Sequence, residues 1–501
     1  MTDKTLQISE TQCEITSKPT QPSAASLPIF DELKGIDEAR DVQARPQTTL
    51  EKLLEIERRI VPEFASLLLN APYDDGFQDA KRDDYLELVC SQLYTRLKET
   101  ELADVELTES DISAFVSAIS NNEYQYHASM ALGYFTGNLV TILTQRNKVK
   151  GTSTKIYVNG NGNRFDYLFY GVKEADELVI DNFEGDYICS LAGTLGGRIT
   201  SLVIQNCRGE HLASGAGSWL GRLDNLCMID NKGKGAAYNV GSNSGVAGNV
   251  VVINQEGDET ASSIGGVLGR VGNVIIINNR GNEAAKSIAW GQGRANKVII
   301  LNNEGDEAAK YCAQQQGKVN YLIILNNKGK LAAEEVAKSH GQADTVLIMD
   351  NEGNCAAGGA GAYDGHIENL ILMNCKGDYN LAGCGNIGDL LLINNEGKVG
   401  FTYKWVGYKA KVSRMFIGGK FGFMESLHFR YFAARYVSMK TPIFGDIAME
   451  RYNNIAKEKK LQEVIDAAKA LEGKSYQDIL YMLGTVTELR APVNQIVVLT
   501  A

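Results

Sequence analysis

The chain has 501 residues, a net charge of -11 and 44% hydrophobic residues, with a pI near 5.2. An acidic excess of this size argues against non-specific binding to nucleic acid or to an anionic membrane. No stretch reaches the roughly 18 apolar residues that a membrane-spanning helix needs, and the N-terminal residues lack the apolar core of a secretory signal. The nine cysteines form no CxxC pair and predict reduced thiols in a cytoplasmic protein.

Composition divides the chain into four regions. Residues 1–46 are rich in Thr, Ser, Gln and Pro, which predicts a disordered tail. Residues 47–150 show the apolar spacing of α-helices, residues 151–422 repeat, and residues 423–501 become helical again. We expect the two helical regions to cap the repeats, because the terminal coils of a solenoid otherwise expose open edges and core.

The repeat is 24 residues long and is marked by glycine. A second glycine column lies twelve residues after the first and runs from Gly197 to Gly365. Such regularity is typical of a solenoid of stacked coils, and each glycine column indicates a turn with positive φ or a close backbone approach. The first column, without interruption, contains Gly185, Gly209, Gly233, Gly257, Gly281, Gly305, Gly329, Gly353 and Gly377.

An apolar quartet precedes the first glycine of each repeat, as in Val298–Leu301 and Leu322–Leu325. Four consecutive β-branched or Leu residues predict a strand that is buried on both faces. One face would fill the interior of the solenoid. The other must be covered by the flanking helices or by a second subunit.

An asparagine column stands three residues before the first glycine. We expect its amides to be buried and to hydrogen-bond to the same residue of the next coil, because stacked coils lie ~4.8 Å apart. A row of ligand-binding amides is the alternative interpretation. The column contains Asn182, Asn206, Asn254, Asn278, Asn302, Asn326, Asn374 and Asn394, with Asp230 and Asp350 in the same position.

The residue immediately before the first glycine alternates in charge at every repeat from Lys232 to Glu396. Side chains in register at this spacing would repel if they were alike and would pair if they were opposite. The alternation therefore predicts coils that stack in register.

The second half of each repeat permits two structures. Alanine-rich repeats such as Asp306–Gly317 have the spacing of a short helix, whereas glycine-rich repeats such as Ala213–Gly217 do not. Because all repeats should share one architecture, we predict a mainly β fold. It is a right-handed parallel β-helix of about 12 coils with short strands and tight arcs, flanked by α-helical regions. The alternative is an α/β solenoid like that of leucine-rich repeats.

Two segments carry a resemblance to a known domain. Ala192–Ile199 and Ile264–Val271 resemble the glycine-rich repeats of the β-helix that ends glutamate synthase large subunits, and the architecture is similar to that of SufB/SufD scaffold proteins. The resemblance covers part of each repeat, and the 24-residue period and the asparagine column depart from it. It implies a right-handed β-helix without an activity of its own.

A cationic column follows the second glycine by one residue. A ridge of guanidinium groups could bind a polyanion or an acidic partner, whereas solvated turn cations balanced by acids are the simpler interpretation. The cationic row, as we call it, consists of Arg198, Arg222, Arg270, Arg294 and Lys318.

Two smaller groups could hold a metal. His340 and Asp364 share a column on adjacent coils and His366 follows, so two imidazoles and a carboxylate could bind a metal ion. The thiols Cys355, Cys375 and Cys384 lie in consecutive repeats, where an iron–sulfur assembly scaffold would need them to converge. Chance placement of polar residues on surface turns, and cysteine acting as a small hydrophobic residue in the core, are the simpler interpretations.

No nucleotide-binding, hydrolase or metalloprotease motif is present, so no cofactor and no catalytic residues are predicted. We expect a non-enzymatic, cytoplasmic structural or interaction scaffold with a protein partner. It could form a homo-oligomer through the apolar strand face, and no membrane or nucleic acid is expected to bind. A carbohydrate-active lyase or glycosidase is the enzymatic alternative, because many β-helices have these activities.

Overall fold

The computed structural model describes residues 47–70, 80–378, 380–397, 410–419, 437–439 and 443–491. For residues 80–86, 410 and 437–439 it describes the backbone. The predicted disordered tail, residues 1–46, lies outside these ranges. Fourteen strands form one sheet, and thirteen of them follow one another in chain order. Every pair is parallel, so the chain is a β-solenoid, as predicted, with about 11 turns rather than about 12.

Helices and short terminal strands flank the solenoid strands. The helices are α1 (Thr49–Leu69), α2 (Ala80–Arg96), α3 (Glu109–Ile119), α4 (Tyr126–Val149), α5 (Ile447–Glu458), α6 (Leu461–Lys469) and α7 (Tyr476–Thr485). The strands are β1 (Lys155–Asn159), β2 (Glu174–Asp181), β3 (Arg198–Gln205), β4 (Arg222–Ile229), β5 (Val246–Ile253), β6 (Arg270–Ile277), β7 (Arg294–Leu301), β8 (Lys318–Leu325), β9 (Gln342–Met349), β10 (His366–Met373), β11 (Asn386–Ile393), β12 (Ala410–Gly418), β13 (Val437–Met439) and β14 (Ile443–Phe444).

The coils stack in register, as the charge column predicts. From β2 to β10 each residue pairs with the residue 24 positions later. The alternating charges are also neighbours: Lys232 pairs with Glu256 at 2.6 Å and Lys328 with Glu304 at 3.4 Å. Each exposed pair contributes only about 0–1 kcal/mol, so these pairs report the register more than they stabilise it.

The apolar strands are buried on both faces, as predicted. In β6, Val274 and Ile276 face the interior of the solenoid, whereas Ile275 and Ile277 belong to a second apolar cluster on the outer face. The same division recurs along the sheet, because side chains alternate between the two faces of a strand.

The second half of each coil is neither the helix of the alternative fold nor the short strands that we predicted. It is a run of turns in which every second residue is left-handed, as at Glu307, Ala309, Tyr311 and Ala313. These N–H groups point alternately to the two neighbouring coils: Glu307 donates to Lys330 (2.8 Å) and Ala309 donates to Ala284 (2.8 Å). Hydrogen bonds to both sides offset a conformational cost of about 1–2 kcal/mol for each left-handed residue.

The asparagine column forms the predicted ladder, but on the surface rather than in the core. Asn278 donates its amide N–H to Asn254, and Asn302 donates to Asn278, both at 2.9 Å. Every member has a positive φ near 55°, a conformation that Asn tolerates better than most residues.

A second, buried ladder runs one residue further along each coil and was not predicted. Asn279 donates to Asn303 and Asn303 donates to Asn327, at 2.9 and 2.8 Å. Gln255 breaks the ladder, and among the buried side-chain nitrogen and oxygen atoms of the described residues only its Oε1 and the Oδ1 of Asn279 lack a hydrogen-bond partner. One misfitted side chain therefore leaves two acceptors without a donor.

Replacing Gln255 with Asn should stabilise the protein by about 1 kcal/mol, because the shorter amide can donate to Asn279 as its neighbours do. The matched reverse change, Asn327→Gln, should destabilise the protein. Thermal unfolding followed by circular dichroism measures both, and equal signs for the two variants would contradict the ladder.

The N-terminal helices cover the first coil, and their core is continuous with the solenoid interior. Helix α4 takes the place of a preceding coil. The Phe169 N–H donates a hydrogen bond to the Thr136 hydroxyl at 3.1 Å, and the Lys173 N–H donates to the Thr141 hydroxyl at 3.0 Å. A helix thus satisfies backbone donors that an open end would leave to water.

The C-terminal helices lie against the outer face of the sheet, so their position differs from the end cap that we expected. Helix α5 contacts β11 and β12, α6 contacts β7 and α7 contacts β4, so the segment returns along the solenoid. Asp389, only 1% exposed, anchors its start by an ion pair to Arg451 at 2.6 Å. Near its end, the partly buried ammonium of Lys297, whose pKa is lowered by desolvation, donates to the carbonyl of Glu488.

These helices supply the cover that the outer apolar face requires. A homo-oligomer through that face would first have to displace α5–α7. A surface elsewhere on the described coils could bind a partner without displacing these helices.

Candidate interaction surface

The cationic row is assembled as the repeat predicts. Its five residues occupy the first positions of β3, β4, β6, β7 and β8 and are register neighbours, with Val246 of β5 as the gap. Arg198 and Arg222 share Asp224, at 2.7 and 2.6 Å. Arg294 is exposed and forms no ion pair with another described residue. Positive charge is therefore least compensated around β7.

The proposed metal group is not assembled. Among the described residues, no cluster of three or more His, Cys, Asp or Glu side chains is placed to hold a metal ion. His340 and Asp364 are corner residues with positive φ, and His366 pairs with Glu368 at 3.2 Å instead. His340 and Asp364 occupy the same position on adjacent coils, but their side chains and that of His366 do not meet at one point.

Two of the three thiols are core residues. Cys375 and Cys384 are buried, and burial raises the pKa of each to about 12. Their thiols donate to backbone carbonyls, Cys384 to Ala357 at 3.2 Å. Cys355 is half-buried and has a left-handed backbone. Protonated, buried thiols are poor metal ligands, which removes the support for an iron–sulfur site here.

The structure shows a surface that the sequence did not indicate. Five large apolar side chains are exposed at the corner before the second glycine, most of all Leu220 at 64% and Leu268 at 54%. Hydrogen bonds join these corners, since Leu195 N–H donates to Trp219 at 3.0 Å and Val267 N–H donates to Trp290 at 3.0 Å. The apolar corner, as we call it, consists of Leu195, Trp219, Leu220, Val267 and Leu268.

The apolar corner is unfavourable in two ways. Its residues are exposed, and they are left-handed, with φ of 46° at Val267 and 67° at Leu268. A β-branched residue with positive φ is an outlier that costs on the order of 1–2 kcal/mol. Other coils place polar pairs at the same corner, such as Asn243–Ser244 and Gln315–Gln316. A strained, exposed apolar patch is typical of a binding surface.

The apolar corner and the cationic row lie side by side. In each coil one glycine separates them, as in Leu220-Gly221-Arg222 and Leu268-Gly269-Arg270. Trp290 packs over Gly266, where an added Cβ would lie 2.3 Å from the indole nitrogen. The result is a strip with exposed apolar groups on one side and guanidinium groups on the other, interrupted on both sides at the coil of Asn243, Ser244 and Val246.

No protein family, no curated protein and no solved structure matches the chain. Within the described residues, no helix combines the length and the apolarity that crossing a membrane requires.

Proposed function

We propose that the protein is a non-enzymatic scaffold of the cytoplasm that binds a protein partner through the apolar corner and the adjacent cationic row. The observation that carries the proposal is the exposure of Trp219, Leu220, Val267 and Leu268 in left-handed conformations. Neither the fold nor the stability of the coils needs these side chains, because neighbouring coils use polar residues there.

Two further features support a scaffold. The stacked coils form a rod with hydrogen bonds between every pair of neighbours, which holds surface groups at fixed spacings. The described cysteines form no disulfide, which agrees with a reducing compartment.

A photo-crosslinking amino acid at Leu220 should trap a protein partner in the native host. The same probe at Gln316 is the matched control, because Gln316 occupies the same exposed corner with φ of 75°. Introducing Leu268→Asp into the Leu220 probe should reduce the adduct at least about tenfold, since apolar anchors dominate binding energy. Equal adducts at both probes, or none at Leu220, would contradict the proposal.

A further inference from the structure

The spacing of the exposed residues points to one kind of partner. The pairs Trp219–Leu220 and Val267–Leu268 are two coils apart, and the intervening coil carries the polar pair Asn243–Ser244. Two coils span ~9.6 Å along the axis. Seven residues of an α-helix rise ~10.5 Å, so positions i and i+7 of a helix match this distance.

An extended segment matches less well. Side chains on one face of a strand recur every ~6.8 Å, so positions i+2 and i+4 would lie ~6.8 and ~13.6 Å from position i. Neither distance coincides with the two apolar pairs. A helix lying along the solenoid axis fits both pairs at once.

The cationic row repeats the same interval. It omits the coil of Val246, so Arg222 and Arg270 are also two coils apart, and Arg294 follows one coil later. A helix that fills the apolar corner would carry its flank over these guanidinium groups. Acidic side chains on that flank would complement them.

Resting on the function proposed above, we propose that the apolar corner and the cationic row bind an acidic amphipathic α-helix of a partner protein. The helix places apolar residues seven positions apart and aligns Asp or Glu with Arg222, Arg270 and Arg294. The most exposed groups, Leu220 and Leu268, are aliphatic, and the whole chain is acidic, which favours a protein over nucleic acid.

The chain itself supplies a competing occupant. The Lys297 and Asn273 side chains donate to the carbonyls of Glu488 and Leu489, and the methyl group of Ala491 fills the space beside Gly272. Ala491 therefore lies beside the residue two positions after Arg270 in strand β6. Residues 492–501 contain apolar residues but no Asp or Glu, so they would bring no carboxylate side chain to the cationic row.

The test uses the full chain and a labelled helical peptide of about 21 residues, three heptads. The peptide has Leu at positions seven apart and Glu on one flank, and its binding is measured by fluorescence anisotropy. The comparison probes are a shuffled peptide of equal composition, a Glu→Lys peptide and poly(U). The protein variants are Leu220→Asp with Leu268→Asp, the control Gln316→Asp, and a chain ending at Ala491.

We expect the shuffled peptide to bind at least about tenfold more weakly than the heptad peptide and the Glu→Lys peptide not to bind. The double variant should lose about tenfold in affinity and Gln316→Asp less than about twofold, with unchanged thermal midpoints. Added salt should weaken binding, because the charges lie at the surface.

Other outcomes overturn the proposal. Equal binding of the shuffled peptide would reject a helical partner, and displacement by poly(U) would assign the strip to nucleic acid. Binding only to the chain ending at Ala491 would assign the strip to residues 492–501. If no peptide binds while the crosslinking probe at Leu220 still traps a protein, the proposed helical partner is rejected but the proposed scaffold function stands.

Discussion

Gly329→Ala should lower the stability of the solenoid by on the order of 3 kcal/mol, in the range of severe overpacking. An added Cβ would lie 1.9 Å from the carbonyl oxygen of Gly305 in the preceding coil, far inside van der Waals contact. The backbone cannot shift there without breaking hydrogen bonds, because the Lys328 N–H donates to the Asn303 carbonyl at 2.8 Å and the Gly305 N–H donates to the Lys328 carbonyl at 3.0 Å. The two coils would have to separate, and the loss should appear as a lower thermal midpoint.

The matched control is Gly484→Ala in helix α7. Apart from the backbone of its own helix and its two chain neighbours, no atom lies within 4 Å of a Cβ added at Gly484, and alanine favours a helix interior over glycine by up to about 1 kcal/mol. The two substitutions are chemically identical and should change stability in opposite directions. A neutral Gly329→Ala would mean that the coils are not packed at this spacing.

The glycine columns explain why so much of the fold could be predicted. A period without insertions fixes the register, and the register fixes which side chains become neighbours. The strand buried on both faces and the charge column followed from the same reasoning, as did the asparagine ladder, although not its position on the surface. Each depends on contacts one coil away, which a strict repeat makes visible in the sequence.

Other features depend on information that the repeat does not carry. Alternating left-handed residues such as Ala309 and Ala313 have no preference for that conformation, and only hydrogen bonds to both neighbouring coils select it. The position of α5–α7 depends on single contacts such as Asp389 with Arg451, which no period reveals. The general need to cover the terminal coils of a solenoid suggested an end cap instead.

The candidate site divides in the same way. The cationic row and the balancing role of an acid such as Asp224 could both be read from the repeat, and Arg198 and Arg222 do share Asp224. The apolar corner was missed because Val267 and Leu268 look like core residues in a sequence. The available signal was their place before the second glycine, where other coils have polar pairs.

The cap over the first coil should be as important as the packing between coils. Phe135→Asp should unfold or dissociate the N-terminal helices, because Phe135 is fully buried in the core that they share with the solenoid, and an unpaired buried carboxylate costs several kcal/mol. Leu88→Asp on α2, at an exposed position, is the control and should change little.

Deleting residues 47–150 should have the largest effect and yield an aggregating chain. The first coil would lose the hydroxyl groups of Thr136 and Thr141 and expose the N–H groups of Phe169 and Lys173, together with the apolar interior. Exposed parallel edges recruit other edges, so sedimentation should show large assemblies. A soluble, monomeric and cooperatively unfolding product would instead show that β1 and β2 close the solenoid without the helices.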